Sequence, residues 1–301
     1  MKNAKYAKLL KTFPSIRQAI PLAPYTSFNI GGQADLFAEP KTQEEFIALI
    51  TQAHQYGIRT FILGGGSNTL FSERGFRGFV IHPLLKKISA ADHSITAEGG
   101  ALLSQVIQAA VKNNLSGMEN LIGLPGTVGG AVRGNAGAGG TEMKDIISSA
   151  TLYDGKKNRV VEYSNEQLDF AYRHSTLKGN RSLIVLCATF GLKKSYSTSE
   201  QQKIMQEILK KRFTTQPKGK SAGCAFKNPT RISAGKLIDE CGLKGLRVGG
   251  IEVSTTHGNF LQNVGGATQK NVLTAIRKIK QTVYGKRKIR LEEEIKIVPE
   301  K

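Results

Sequence analysis

The sequence lacks most of what would place the chain in a membrane or on a nucleic acid. No apolar run approaches the roughly 20 residues needed to cross a bilayer. The amino terminus, MKNAKYAKLLKTFPSIRQAI, is basic but has no continuous apolar centre and no small-residue cleavage site. It reads as an amphipathic helix, not as a signal peptide, so a cytoplasmic protein with no membrane association is expected. Cysteine is scarce. Cys187, Cys224 and Cys241 are odd in number and have no metal-ligand spacing, which excludes a disulfide framework and leaves no metal site in view. Acidic residues are also few, 23 against 43 Lys and Arg, for a net charge of +20. Such an excess fits nucleic acid, an anionic membrane surface or polyanionic small ligands. The cations are dispersed, with short clusters only at Lys210, Lys211 and Arg212 and at 285–290. No nucleic-acid motif and no interleaved aromatic platform accompanies them, so nucleic acid is not expected as a partner. There is no internal repeat, no low-complexity tail and no sign of an obligate protein partner.

What is present is an alternation of helix and strand patterns in a chain long enough for two or three packed units. PKTQEEFIALITQAHQYGI carries a capping box, Thr42 with Glu45, and a helix stop at Gly57. RTFILGGG is a buried strand feeding a glycine loop, and GFVIHP is a second strand. SITAEGG leads into a helix, ALLSQVIQAAVKNNL. The segments ISSATLYDG, RVVEYS and SLIVLCATFGL are strands, with a short helix NEQLDFAYRHS opened by Ser164 and Gln167. The character changes near residue 196. The helix STSEQQKIMQEILKKRF, with Ser197 and Glu200 as its box, is followed by a Gly/Lys/Pro linker, TTQPKGKSAG. Beyond it come a helix SAGKLIDECGL, strands GGIEVS and GNFLQN, a helix TQKNVLTAIRKIKQTVY and a strand KIRLEEEIKIV. The pattern is α+β in at least two units.

Two glycine-rich stretches stand out. LGGGSNTL follows a strand, as a phosphate-binding loop should, yet it is neither a Rossmann fingerprint nor a Walker A loop: Thr69 occupies the third glycine position, and no Gly-Lys-Ser/Thr is present. It offers the N–H groups of Gly64, Gly65 and Gly66 with the side chains of Ser67 and Asn68, which suits a diphosphate without a metal. GLPGTVGGAVRGNAGAGG, Gly123 to Gly140, holds eight glycines. So much permissive backbone means sharp bends or close approach to something, with an ordinary run of tight turns as the competing reading. A dinucleotide held across both stretches accounts for the pair. Thr127, Asn135 and the N–H groups of Gly129 and Gly130 are then candidates to cradle phosphate or a polar ring edge.

These stretches also carry a resemblance. TSFNIGG (26–32), LGGGSNTL, the 123–140 stretch, YRHS (172–175), GCAFKNP (223–229) and LEEEIKI (291–297) occur in the order found in UDP-N-acetylenolpyruvoylglucosamine reductases. The chain resembles that family over nearly its whole length. The resemblance implies an FAD-binding fold of the vanillyl-alcohol-oxidase-like class (PCMH type) in two subdomains, 1–82 and 83–195. A C-terminal α+β substrate-binding domain, 196–301, would follow, with its last strand returning Glu294 to the flavin site. It implies non-covalent FAD bound through Gly64, Gly65, Gly66, Ser67, Asn68, Pro125, Gly126, Thr127, Gly129, Gly130, Asn135 and Gly137.

The resemblance further implies a mechanism in two halves, within peptidoglycan synthesis. NADPH reduces FAD and leaves; UDP-N-acetylglucosamine enolpyruvate enters, takes hydride at its enol-ether methylene carbon and is protonated at the α-carbon, giving UDP-N-acetylmuramate. Arg173 matches the arginine that stabilises the developing enolate, Glu294 the carboxylate near it, and Cys224 the proton donor, where the family pattern has serine. Tyr172, Lys227, Asn228 and Asn259 are expected to contact substrate, with Lys218 and Arg212 as diphosphate partners. The short interval from Arg173 to Cys224 resembles the family's compact class. A thiol with an ordinary pKa of about 8.5 is mostly protonated at neutral pH and is more acidic than an alcohol, so the exchange suits the chemistry. A cation such as Arg173 or Lys227 would lower that value and a carboxylate such as Glu294 would oppose the shift. On the residues alone, Arg173 reads as a solvated helix-end arginine, Glu292 to Glu294 as a charged strand edge, and Cys224 as a small buried hydrophobe. His174 and His257 have no metal-like partners. Two alternatives stay open: an FAD-dependent sugar or lactone oxidase of the same class, and a basic nucleic-acid-binding protein.

Overall fold

In a computed structural model of the chain, the structure describes residues 2–195, 197–230 and 232–298. It divides into two compact units that do not follow the linear order of the sequence. The first comprises 1–17, 37–65 and 79–211; the second comprises 18–36, 66–78 and 212–301. The expected three-part division at 82/83 and 195/196 therefore differs from the compact units. The observed boundary at 211/212 falls inside the helix Thr198–Thr215, and two early segments join the C-terminal unit. The reason is packing: Phe28, Ile30 and Leu70 are buried in the same cluster as Ala222, Phe226, Leu261 and Ile276.

The first unit is built on a five-stranded antiparallel sheet in the order Arg159–Ser164, Ile147–Asp154, Leu183–Gly191, Ser94–Glu98, Ile88–Ala91. The helix Leu103–Lys112 supplies Leu103, Val106, Ile107, Ala110 and Val111 to the interior, the i, i+3, i+4 stripe its sequence carries. The helix Gln43–Gln55 starts as expected: the Thr42 hydroxyl accepts the Glu45 N–H at 3.2 Å, satisfying one of the orphan donors of the first turn. Near its start the Glu45 carboxylate accepts from the Lys41 N–H at 3.0 Å. The amino-terminal segment forms the expected helix, Lys2–Thr12.

The second unit holds a four-stranded antiparallel sheet in the order Ser221–Cys224, Phe260–Asn263, Ile251–Val253, Arg247–Val248. The helix Gln269–Arg287 buries Val272, Ala275, Ile276, Ile279 and Val283. The strand Lys296–Val298 pairs in parallel with Thr69–Phe71.

Two sequence expectations contract. NEQLDFAYRHS forms only a single 3-10 turn, Glu166–Leu168. The reciprocal contacts of Ser164 and Gln167 are present, at 2.9 and 3.4 Å, but Asp169 enters the left-handed region at φ 44° and stops propagation. KIRLEEEIKIV is extended strand only from Lys296. Glu293 meets the segment bearing Phe226 at an isolated antiparallel bridge, and its carboxylate turns to Lys280 at 2.8 Å. Leu291 and Ile295 are buried on either side of it.

Candidate active site

Within the first unit the two glycine stretches meet. A methyl group on Gly65 would lie 3.0 Å from the Gly126 Cα, and one on Gly64 would lie 2.6 Å from the Thr127 hydroxyl oxygen. Gly65 thus packs tightly on backbone of the second loop, and Gly64 on the Thr127 side chain, so a larger residue at either position has to push its neighbour aside. The N–H groups of Gly64 and Gly65 are donated to no backbone carbonyl of the described residues, so two successive donors remain for a ligand. That donor set is chemically right for a diphosphate. Thr127 is buried and its side chain fills the space over Gly64.

The remainder of the 123–140 stretch resolves into two ordinary structures. Val128–Gly134 is a short helix, its first N–H groups taken up locally: Val128 donates to the Ala101 carbonyl at 2.9 Å and Gly129 to Gly99 at 2.8 Å. The Gly129 N–H is thus not available to a phosphate, contrary to expectation. Gly137 lies in a hairpin, Gly137–Ala138 paired with Thr141–Glu142. Its two-residue turn, Gly139 and Gly140, has φ values of 60° and 86°, a conformation with positive φ at both central positions. The positive φ of Gly139 and Gly140 is what the turn itself requires.

Asn135 also differs from expectation. It caps the short helix in the left-handed region, φ 45° and ψ 55°, and is 0% exposed. Its Nδ2 donates to the Glu142 carboxylate and to the Ala171 carbonyl, both at 2.9 Å, and its Oδ1 accepts from the Lys144 N–H at 3.0 Å. The side chain is enclosed by protein and bonded within it, so it has nothing to offer a phosphate.

Arg173 sits in the same unit, in a turn closed by two backbone bonds between Ala171 and His174, at 3.2 and 2.9 Å. Its own φ is 55°, a left-handed conformation that a non-glycine residue adopts at a cost of order 1–2 kcal/mol. Its guanidinium lies 5.0 Å from the centre of the Tyr172 ring, and its carbonyl accepts from Lys178 Nζ at 2.7 Å. Tyr172 is exposed. Nearby, burial, with the Arg181 charge adding, depresses the Arg133 guanidinium from its ordinary value, and its Nη2 donates to the Lys178 carbonyl at 3.3 Å.

The second unit gathers the other expected groups. The segment bearing Cys224 runs beside the segment bearing Glu294. Glu294 donates its N–H to the Ala225 carbonyl and Lys227 donates to the Glu292 carbonyl, both at 2.9 Å. The Lys227 ammonium pairs with the Glu292 carboxylate. Asn68 joins the group across 226 residues of sequence: its Nδ2 donates to the Glu294 carbonyl at 3.0 Å, and its own carbonyl accepts from Lys296 at 3.0 Å. Within this unit, Asn68 is thus tied to the backbone carrying Glu294. Cys224 is half-buried and is in register with Phe260. The Asn228 side chain accepts from the Ala234 N–H at 3.0 Å, at the start of the helix Ala234–Glu240.

Asn259, expected to touch substrate, is 2% exposed and holds Phe226 instead. Its Oδ1 accepts the Phe226 N–H at 2.9 Å and its Nδ2 donates to the Phe226 carbonyl at 2.8 Å. Two further residues support these loops: Ser175, which has no role of its own in the sequence reading, and His257, read there as structural or a weak substrate contact. Ser175, 0% exposed, donates to the Arg133 carbonyl at 2.8 Å. His257 accepts from the Asn259 N–H at 3.2 Å; burial, with Lys244 adding, lowers its pKa. No signal in the sequence marks either contact.

Among the described residues no group of three or more His, Cys, Asp or Glu could hold a metal, no disulfide is formed, and no helix is long and apolar enough to cross a membrane.

Comparison with known proteins shows which family the chain is similar to. Residues 34–164 match the family model described as an FAD binding domain, and residues 216–298 match that of the UDP-N-acetylenolpyruvoylglucosamine reductase C-terminal domain. The UDP-N-acetylenolpyruvoylglucosamine reductase of Clostridium novyi is 40% identical over 287 residues, covering 95% of this chain and 92% of the relative. That of Caldanaerobacter subterraneus subsp. tengcongensis is 42% identical over 283 residues, 93% of each. Among solved structures, the enzyme of the same name from Thermus caldophilus superposes with a TM-score of 0.81 at 36% identity, covering 94% of this chain and 100% of that one. The fold and these matches define an FAD-dependent oxidoreductase of α+β architecture. Within that class, the chain belongs to the UDP-N-acetylenolpyruvoylglucosamine reductase family.

Proposed function

We propose that this chain uses NADPH to reduce UDP-N-acetylglucosamine enolpyruvate to UDP-N-acetylmuramate, a step of peptidoglycan biosynthesis, with non-covalently bound FAD as its cofactor. The observation that carries the reading is the run of about 40% identity to reductases of this name over more than nine-tenths of the chain. The FAD-binding reading also has support in the geometry, from the N–H groups of Gly64 and Gly65, which no backbone carbonyl of the described residues accepts, beside a second glycine loop.

The chemistry adds two hydrogens across an enol-ether double bond, one as hydride and one as a proton. FAD, when bound, carries the electron pair from NADPH to the substrate. The residues of this chain supply the rest. The N–H groups of Gly64, Gly65 and Gly66, with Ser67, hold the cofactor diphosphate, and Pro125, Gly126 and Thr127 form the facing loop. The guanidinium of Arg173 stabilises negative charge that develops on the substrate carboxylate, and a fixed cation does so without reorganising. The Cys224 thiol gives its proton to the α-carbon. Glu294 lies on the backbone segment paired with Ala225, and its carboxylate is the acid group of the site. Lys227, Asn228 and Tyr172 bind the nucleotide sugar. The net charge of +20 suits two polyanionic substrates.

The test is spectroscopic. Purified protein should be yellow, release its chromophore on acid precipitation, and bleach with NADPH under anaerobic conditions. Adding the enolpyruvyl substrate should restore the colour and yield a product two hydrogens heavier. An oxidase of the same class would instead recolour rapidly in air with peroxide formation and ignore the substrate. A colourless protein that binds nucleic acid in a salt-dependent manner would overturn the reading altogether.

A further inference from the structure

We infer that Asn135 is a positioning residue for Arg173, acting through the backbone of the turn that carries it; the inference rests on the role proposed above for Arg173. The argument begins with strain. Arg173 is held at φ 55°, a conformation that persists in a non-glycine residue only when its surroundings impose it. The surroundings here are bonds to the carboxyl end of one short helix, Val128–Gly134. On the amino side of the turn, the Ala171 carbonyl receives two donors, the His174 N–H and the Asn135 side chain, both at 2.9 Å. On the other side, Ser175 Oγ reaches the Arg133 carbonyl at 2.8 Å, one of the helix-end acceptors that would otherwise lack a partner. A third tie runs through Lys178, which donates to the Arg173 carbonyl and accepts from Arg133 Nη2.

Asn135 is the residue that fixes this arrangement to the rest of the unit. Its amide binds Ala171, Glu142 and Lys144 at once, so two separate segments, 142–144 and the turn at 171, converge on one side chain that is fully enclosed. The same helix begins at Thr127, against Gly64. A seven-residue helix thus links the loop proposed to hold the cofactor with the turn that carries the arginine, and Asn135 sets its far end. Asparagine suits the position twice over: it tolerates the left-handed backbone of a helix cap and supplies two donors and an acceptor.

The experiment is a double-mutant cycle read on the second half-reaction. Wild type, Asn135→Gly, Arg173→Ala and the double variant are loaded with FAD and reduced with dithionite. Each is then mixed with saturating enolpyruvyl substrate, and reoxidation is followed near 450 nm, a wavelength typical of flavins. Glycine removes the amide but accepts the left-handed backbone, so it isolates the side-chain bonds. Asn135→Gly should slow reoxidation by roughly 10- to 100-fold, the scale of an ångström of misplacement at a reacting centre. In the Arg173→Ala background the same change should alter the rate by less than about threefold, because residues acting through one group are not additive. An equal slowing in both backgrounds overturns the inference, since Asn135 would then act independently of Arg173. A wild-type rate for Asn135→Gly overturns it too. If Arg173→Ala itself reoxidises at the wild-type rate, the proposed role of Arg173 fails, and that outcome is distinct. Should Asn135→Gly give no folded protein, Ser175→Ala enters the same cycle with the same expected result, because it breaks the second bond between the turn and the helix.

Discussion

Replacing Asn259 by alanine should destabilise the second unit more than a typical surface substitution. Asn259 is 2% exposed, and Phe226, whose N–H and carbonyl it pairs, is 1% exposed. Truncation leaves both backbone groups of Phe226 without their partners, at 2.9 and 2.8 Å in the intact protein. A buried polar group left unpaired costs about 1–3 kcal/mol, so the pair is worth about 2–6 kcal/mol, with the lower end applying if water fills the vacated space. Against a total stability of roughly 5–15 kcal/mol this is a large fraction. At about 2 °C per kcal/mol for a chain of this size, the melting midpoint should fall by about 4 °C or more. Asn259→Asp should fall further, because it keeps the acceptor for the Phe226 N–H but sets a carboxylate oxygen against the Phe226 carbonyl. The assay is thermal unfolding followed by circular dichroism, with apoprotein and with saturating FAD, so that ligand linkage is separated from intrinsic stability. Phe226 lies between Cys224 and Lys227, so reoxidation by substrate should slow in the same variants. A midpoint for Asn259→Ala within a degree of wild type would refute the assignment of Asn259 as the support of this loop.

Gly65→Ala should weaken FAD binding by at least about tenfold, because a methyl group 3.0 Å from the Gly126 Cα meets backbone that cannot give way cheaply. Gly134→Ala, with nothing within 4 Å, is the control, and fluorescence titration with FAD that shows equal affinities contradicts the packing argument. Cys224→Ala should leave NADPH-dependent bleaching nearly intact while slowing substrate-dependent recolouring by roughly 10²–10⁴-fold, and Cys224→Ser should recover much of the rate. Stopped-flow absorbance separates the halves, and an alanine variant that recolours at the wild-type rate removes Cys224 from the reaction. His257 has a pKa lowered from 6.5 by burial, so below that value the unfolded chain binds a proton that the folded chain resists. The stability contributed by the neutral ring is complete above pH 6.5 and is lost as the pH falls through the folded value. His257→Asn, which keeps an acceptor for the Asn259 N–H, should flatten the acid side of the stability curve; parallel curves for the two proteins would rule out this source.

The family, the chemistry and most of the secondary structure were legible because they depend on short stretches of chain. Thr42 and Glu45 mark a helix start through contacts three residues apart, and the stripe from Leu103 to Val111 marks the buried side of one helix. Motif order likewise needs no coordinates: TSFNIGG, LGGGSNTL, YRHS, GCAFKNP and LEEEIKI point to the reductase family as text. The glycine count of the 123–140 stretch was equally visible, but its meaning was not. Gly139 and Gly140 make a hairpin turn, whereas Gly126 lies against Gly65, and composition cannot tell a bend from a close approach.

What only the tertiary structure decided is where each polar side chain ends. Asn135 and Asn259 sit in motifs where a ligand contact was expected, and each is turned inward to hold backbone, the first 36 residues from Ala171 and the second 33 from Phe226. Asn68 reaches Glu294 across 226 residues. An asparagine beside glycines has the same local appearance whether its amide meets a phosphate or a carbonyl. The choice is made by which distant segment packs against it, because a buried amide must find partners among whatever groups the fold brings within hydrogen-bonding distance. For the same reason the segments 18–36 and 66–78 belong with the C-terminal unit: Phe28, Ile30 and Leu70 are apolar in any reading, and only the packed interior determines which core they enter.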